Sequence, residues 1–194
     1  MYGEYLTDMG RFNEAIVQMT RAQELAPLSL IIHADLGWAL YCARRPDEAL
    51  QQLRKTLSMD PEFAVAHWFL GWVHYQKGDF GLALFELNKA LILEGNSRVQ
   101  ADIAFVHARS GNRGEAQRIL AELKANEERK HVSQFAYALI YSGLDERDRA
   151  FAALDRAFED RPWELAEAKV NPLLDPLRSD PRFPEMLRRL GLPV

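Results

Sequence analysis

The amino-acid sequence predicts an all-α fold built from a helical unit that repeats along the chain. Two series of small residues carry this prediction, each with a period of 34 or 33 residues. The first series consists of Ala15, Ala49, Ala83, Ala116 and Ala150. The second lies twelve residues earlier and consists of Gly3, Gly37, Gly71, Ala104 and Ala138. Because a fixed period of this length is typical of repeat proteins, we expect a solenoid of about five units.

A third series marks where each unit ends. Its members are Pro27, Pro61 and Pro162, replaced once by Gly95 and once by Glu128. A proline lacks the amide hydrogen and cannot continue inside a helix, so it is expected to end the second helix of its unit. Gly95 is expected to do the same by adopting the left-handed conformation of a helix C-cap.

Within each unit the apolar spacing predicts two helices joined by a turn, that is, a helical hairpin. In the second unit the first helix includes Leu36 and Leu40, and the second includes Leu50 and Leu53. The predicted turns lie at Arg45-Pro46-Asp47, Gly78-Asp79, Gly111-Asn112 and Leu144-Asp145, with Ser142-Gly143 as a helix stop. Asp47, Asp79 and Asn112 are predicted N-caps of the second helices. The small residues are expected where the two helices of one hairpin cross closely.

Composition limits the classes of function. No apolar run approaches the roughly 20 residues of a membrane helix, so no membrane insertion is predicted. The net charge is −4 with both signs interspersed, which argues against a nucleic-acid partner because phosphate binding needs clustered cations. The one cysteine, Cys42, excludes an internal disulfide. We expect a cytoplasmic protein, with the periplasm open if the parent protein is membrane-anchored.

The repeat resembles the tetratricopeptide repeat (TPR) family. The resemblance rests on Leu36-Gly37 and Leu70-Gly71, on the segments Gly10–Ala15 and Gly78–Ala83, and on Ala22, Ala90, Ala157 and the three prolines. The chain departs from the family pattern at His33, His67, Thr56, Leu123, Arg113 and Arg147. The resemblance implies a right-handed α-α superhelix, a TPR solenoid of about five hairpins, that acts as a protein-interaction module. Because Met1 would fall inside the first helix of the first unit, we expect a fragment or a domain of a longer protein.

Residues 163–194 break the period. They are predicted to form two or three short helices separated by prolines. We expect this segment to cap the apolar end of the array, which gives a repeat domain over 1–162 and capping helices over 163–194. The stretch Leu174–Phe183 resembles the ends of TPR regions in bacterial signalling proteins.

In the TPR family the first helices line a concave groove. By that resemblance, the predicted partner-binding residues are Trp38, Tyr41, Trp68, Trp72, Tyr75, Phe105, Arg109 and Phe135. Trp38, Trp68, Trp72 and Tyr75 are expected to form one partly exposed aromatic strip that anchors a partner. The alternative is that these rings pack in the seam between neighbouring first helices.

The family's clamp for a peptide carboxylate uses Lys and Asn, and it is missing here. Ala34, Trp38, Trp68 and Trp72 occupy its positions, with Arg98 and Arg109 as the nearby cations. An apolar or aromatic peptide or helix is therefore the predicted partner.

The remaining polar residues predict neither a metal nor a cofactor. His33 and His67 occupy equivalent positions one unit apart, as do His74 and His107, and stacked units are too far apart for shared coordination. No catalytic motif appears, so the predicted function is a non-catalytic scaffold for a protein or peptide partner. The alternative is a self-associating structural or regulatory domain, a homodimer formed where the first unit leaves Ile16, Met19 and Leu25 under-covered. An enzyme is the third and weakest reading.

Overall fold

A computed structural model describes residues 2–126, 132–160 and 163–193. The helices of the repeat are α1 (Tyr2–Asp8), α2 (Phe12–Leu25), α3 (Leu30–Cys42), α4 (Pro46–Met59), α5 (Ala64–Gln76), α6 (Phe80–Glu94), α7 (Ser97–Arg109), α8 (Arg113–Ala125), α9 (Gln134–Gly143) and α10 (Arg147–Asp160). Two short 3₁₀ helices and one α-helix follow: η1 (Trp163–Lys169), η2 (Pro172–Leu177) and α11 (Arg182–Arg189). The predicted all-α class and the succession of helical hairpins are confirmed.

The helices form two compact units, each larger than one repeat: the first unit covers residues 1–95 and the second unit covers residues 96–194. The first contains the hairpins α1–α2, α3–α4 and α5–α6, and the second contains α7–α8, α9–α10 and the C-terminal helices. The predicted boundary at 162/163 is therefore not where the compact units divide. Met1, Glu128 and Pro162, which the sequence analysis used, lie outside the described residues.

The alanines of the first series are fully buried, from Ala15 to Ala150. The glycines opposite them make room for a larger side chain. A Cβ atom on Gly71 would lie 2.4 Å from Leu87 Cγ and 3.2 Å from the carbonyl oxygen of Ala83. Gly37 has the same relation to Leu53, at 2.6 Å. The glycine therefore lets the helices of one hairpin approach until a buried leucine fills the space.

The helix termini test the predicted caps. Asn112 is the N-cap of α8 and accepts a hydrogen bond from the Glu115 amide at 3.4 Å, and Gly95 ends α6 with φ 66°, so both predictions are confirmed. Asp79 occupies the N-cap position of α6, but its side chain makes no cap hydrogen bond. The prediction for Asp47 was wrong, because α4 already begins at Pro46 and Asp47 lies in its first turn.

The second unit departs from regular stacking. In the first unit α4 packs along α5, whereas α9 packs mainly on α7 and α10 and has only a small contact with α8. Gly143 makes the approach to α7 possible, since a Cβ there would lie 3.1 Å from the Cα of Phe105. The helix α9 ends at Gly143, as the expected stop at Ser142-Gly143 predicts. The left-handed residue of the turn is Asp145, whose φ is 56°, and not the glycine.

The C-terminal segment contains the short helices that the prolines predict. Leu173, Leu174 and Leu177 of η2 are fully buried, and η2 packs on α9. The last helix contacts α10, where Arg182 of α11 binds Asp148 at 2.9 Å. The segment therefore covers one side of the α9–α10 hairpin.

Candidate binding surfaces

Five aromatic rings of α3 and α5 form a single cluster, which we call the aromatic cluster. Trp72 lies at its centre, with ring centroids 4.9 Å from Trp68, 4.9 Å from Phe69, 5.1 Å from Trp38 and 6.0 Å from Tyr41. The sequence analysis predicted four of these residues and missed Phe69. Its spacing three residues before Trp72 places it on the same side of α5, which was the available signal.

Four of the five rings of the aromatic cluster are buried, and Phe69 is half-buried. Trp38 and Trp68 are each 7% exposed, Trp72 is 2% exposed and Tyr41 is fully buried. The expected exposed strip was therefore wrong: the rings of α3 and α5 cover one another, as in the alternative of seam packing. Tyr75 lies outside the cluster and is half-buried, with its ring 6.1 Å from that of Phe80.

The other predicted site residues belong to the second unit. Phe105 and Phe135 are fully buried, Phe105 against Gly143 and Phe135 against the guanidinium of Arg98 at 4.9 Å. The expectation that these two rings face a groove was wrong as well. Arg109 is exposed and pairs with Asp145 at 3.3 Å.

Arg98 lies at the centre of a buried polar cluster. Its guanidinium binds Glu167 at 2.9 Å and Asp102 at 3.3 Å, and Asn171 donates to Glu167 at 3.1 Å. Burial raises the pKa of Glu167, and the attraction of Arg98 opposes that increase. The expectation that Arg98 is a groove cation was wrong, because this side chain fastens η1 to α7.

His33 and His67 each hold the loop that precedes their own helix. His67 Nε2 lies 3.0 Å from the carbonyl oxygen of Pro61, and His33 Nε2 lies 3.0 Å from that of Pro27. A carbonyl can only accept, so Nε2 donates in both rings. The Nδ1 atoms differ, since that of His67 faces Glu86 and that of His33 faces the amide nitrogen of Gln23, both at 2.6 Å. Nowhere in the described ranges do three His, Cys, Asp or Glu side chains converge as metal ligands would.

An apolar surface on α6 of the first unit was not predicted from the sequence. Among the described residues, the large hydrophobic side chains that are well exposed all lie between Tyr2 and Leu93. On α6, Leu82, Phe85 and Ile92 are spaced by three and seven residues and so share one side of the helix, which we call the α6 outer face. Phe85 is 64% exposed and Ile92 is 84% exposed. The buried side of α6 carries Ala83, Leu87 and Ala90.

The described helices include none that is both long enough and apolar enough to cross a bilayer.

A family model described as tetratricopeptide repeat matches residues 3–55 and 34–98. Among solved structures, TTC0263, a TPR protein of Thermus thermophilus, is 19% identical with a TM-score of 0.67, and the match covers 96% of each chain. MamA is 20% identical with a TM-score of 0.55, covering 83% of this chain and 95% of that one. YrrB, described as a TPR protein with an unusual peptide-binding site, is 19% identical with a TM-score of 0.50, covering 88% and 89%.

The search of curated proteins found no significant match. The repeat period, the hairpins and the family model all agree, and the chain belongs to the tetratricopeptide repeat family.

Proposed function

We propose that this chain is a non-catalytic scaffold that binds an apolar or aromatic peptide or helix of a protein partner. The observation that carries the proposal is the concentration of exposed large hydrophobic side chains on the first unit, where TPR hairpins are also matched by the family model. Exposed apolar side chains that share one side of a helix, as on the α6 outer face, are a common mark of protein-binding sites. A peptide-binding site named for YrrB, which shares the fold, supports the same class of function.

The exposed fractions favour the α6 outer face as the source of anchors. Burying a large apolar side chain that is well exposed contributes about 1.5–3 kcal/mol, and Phe85 and Ile92 both meet that condition. Trp72 has almost no surface left to bury. The aromatic cluster then holds α3 and α5 together. The small exposed parts of Trp38 and Trp68, with the half-buried Tyr75, form a secondary contact surface.

The experiment compares partner capture by the wild-type chain with capture by two matched variants. Phe85→Ser with Ile92→Ser removes the α6 outer face, and Val17→Ser removes an exposed apolar side chain from α2. A captured protein is then purified and its affinity for each chain is measured. We expect the double variant to bind at least about tenfold more weakly, with an unchanged melting temperature, and the Val17 variant to bind normally.

Three other outcomes would change the proposal. Equal binding by all chains would show that the α6 outer face does not contribute to binding. Loss of binding by a Trp72→Ala variant of unchanged stability would show that the aromatic cluster binds the partner. A wild-type chain that binds no purified candidate peptide or protein would refute the scaffold function.

Self-association is a second candidate function, favoured by the exposed side chains at the start of the chain. Tyr2, Tyr5 and Val17 are exposed on α1 and α2, and Leu25 is exposed as expected. Met19 is buried, so the expectation that it is under-covered was wrong. The test is light scattering at tens of micromolar. A dimer that Leu25→Glu abolishes would support self-association, and a strict monomer would refute it.

A further inference from the structure

The second unit contains a pocket of about 440 Å³ between the end of α8, the outer side of α9 and the middle of α10. Its origin is the departure from regular stacking, because α9 leans on α7 and leaves a gap toward α8. None of the site residues predicted from the sequence lines it.

The wall on α10 consists of two arginines with small residues between them. Arg149 and Arg156 are seven residues apart, which places them on the same side of the helix at a distance of about 10 Å. Ala152 and Ala153 lie between them and line the pocket. Because alanine side chains are short, they leave room for a ligand that both guanidinium groups can reach.

The floor of the pocket is aromatic and its rim carries a third cation. Tyr137 and Tyr141 are one turn apart on α9, and both are largely buried. Lys124 Nζ lies 5.5 Å and Arg149 Cζ 5.9 Å from the centre of the Tyr141 ring. The ring therefore holds two cations near the opening, as in cation–π contacts elsewhere.

The positive charge of the pocket is poorly compensated. No acidic residue is among the described residues that line it. Arg149 shares the carboxylate of Glu146, at 2.9 Å, with Arg113, at 3.1 Å, so one negative charge serves two guanidinium groups.

Four acids lie on α10, and two of them, Asp148 and Asp155, are occupied elsewhere, whereas Glu159 and Asp160 follow Arg156 by three and four residues. Asp148 binds Arg182 at 2.9 Å and Asp155 binds Arg189 at 2.5 Å, so neither carboxylate is turned to the pocket's cations. Arg156 forms no ion pair with any residue that the structure describes.

We propose that this pocket binds a phosphate monoester group between Lys124, Arg149 and Arg156. Guanidinium groups bind phosphate oxygens through paired hydrogen bonds, and a doubly charged group matches three cations better than a single carboxylate does. Gln134 at the rim adds an amide donor, and Tyr141 with the two alanines offers apolar contact to the carbon part of the ester. The ester is either a free small molecule or a phosphorylated side chain of a protein.

This inference is independent of the proposed scaffold function. The pocket lies in the second unit, whereas the α6 outer face lies in the first. Failure of either proposal therefore leaves the other standing.

The test is isothermal titration of the full chain with phenyl phosphate, and with one peptide in its phosphotyrosine, tyrosine and glutamate forms. We expect binding that weakens as salt is raised, since the contacts are ionic and partly exposed. Arg156→Gln is the cleanest variant because it breaks no described ion pair, and it should weaken binding by about tenfold or more. Arg21→Gln removes the same charge from the first unit, where Arg21 pairs with Glu24, and should change nothing.

Each outcome decides a part of the proposal. Equal affinity for phenyl phosphate and the phosphopeptide would identify a small phosphate ester as the ligand, and much tighter binding of the phosphopeptide would identify a protein. Equal affinity for the glutamate peptide would overturn the preference for phosphate. Absence of binding, or binding that Arg156→Gln leaves unchanged while melting curves show an intact fold, would overturn the site.

Discussion

Replacing Gly71 with alanine should destabilise the first unit, although alanine is the better helix former. A Cβ atom at this position would lie 2.4 Å from Leu87 Cγ, whereas carbon atoms in contact are normally about 3.5–4.0 Å apart. Leu87 is fully buried and has to move by more than an ångström, and the carbonyl oxygen of Ala83 limits any shift of the helix. Overpacking of this kind costs about 1–3 kcal/mol.

The helical preference of alanine offsets part of that cost. It contributes about 1 kcal/mol relative to glycine, so the expected net loss for Gly71→Ala is about 0–2 kcal/mol. Gly81→Ala is the matched control, because Gly81 is exposed on α6 and a Cβ there meets no atom within 4 Å. Because Gly81 is the second residue of α6 and not an interior one, the variant should stabilise the chain by at most about 0.5–1 kcal/mol. The difference between the two variants isolates the packing cost.

The assay is urea denaturation followed by tryptophan fluorescence, which reports mainly the first unit because it contains three of the four tryptophans. If Gly71→Ala stabilised the chain as much as Gly81→Ala, the close crossing of α5 and α6 at Gly71 would be refuted. A double variant adds a further check. In a Leu87→Ala background the two colliding leucine carbons are gone and only the contact with the Ala83 carbonyl oxygen remains, so Gly71→Ala should be less destabilising than in the wild-type chain.

Three further predictions concern buried groups. Trp72→Ala should cost about 3–5 kcal/mol in a denaturation experiment, and a loss below about 1 kcal/mol would contradict its central place in the aromatic cluster. Asp35 on α3 is half-buried, and desolvation together with the nearby Glu4 carboxylate raises the pKa of Asp35 to about 7, so the stability contributed by its protonated form should be lost as the pH rises from about 4 through about 7. Asp35→Asn should remove that loss, and melting curves with the same pH dependence in both chains would refute the assignment. Arg98→Ala should cost about 3–5 kcal/mol because buried Glu167 loses its cation, whereas Arg189→Ala, which breaks an exposed pair, should cost under about 1 kcal/mol by thermal unfolding.

The sequence predicts the repeat well because period and packing have the same cause. The alanines from Ala15 to Ala150 recur since every hairpin has one position with space for a methyl group only, and all of them are fully buried. Turn residues are less reliable. The helix α9 ends at Gly143 as Ser142-Gly143 predicts, but the left-handed residue is Asp145, and Gly143 is needed for its contact with Phe105, which lies far away in the sequence.

The exposure of the predicted site could not be obtained from the repeat pattern. The pattern fixes the side of α3 and α5 on which Trp38, Trp68 and Trp72 lie, but exposure depends on what covers that side. Neighbouring helices are about 8–10 Å apart, so indole rings from two helices can span the gap and bury one another. Arg98 illustrates the same limit, because its partner Glu167 comes from a segment outside the period.

Gly37 and Gly71 each pair with a leucine of their own hairpin, so the hairpin of 34 residues carries both partners of this contact. A copy of residues 30–63 contains both Gly37 and Leu53, so it keeps their contact. It also contains His33, which contacts the carbonyl oxygen of Pro27 in the same way as His67 contacts that of Pro61. A tandem copy of these 34 residues would place the new His33 six residues after Pro61, where His67 stands in the present chain. The first unit can thus be lengthened by one whole hairpin with each of these close contacts reproduced, whereas an insertion between Gly37 and Leu53 or between Pro61 and His67 would separate the partners of one contact.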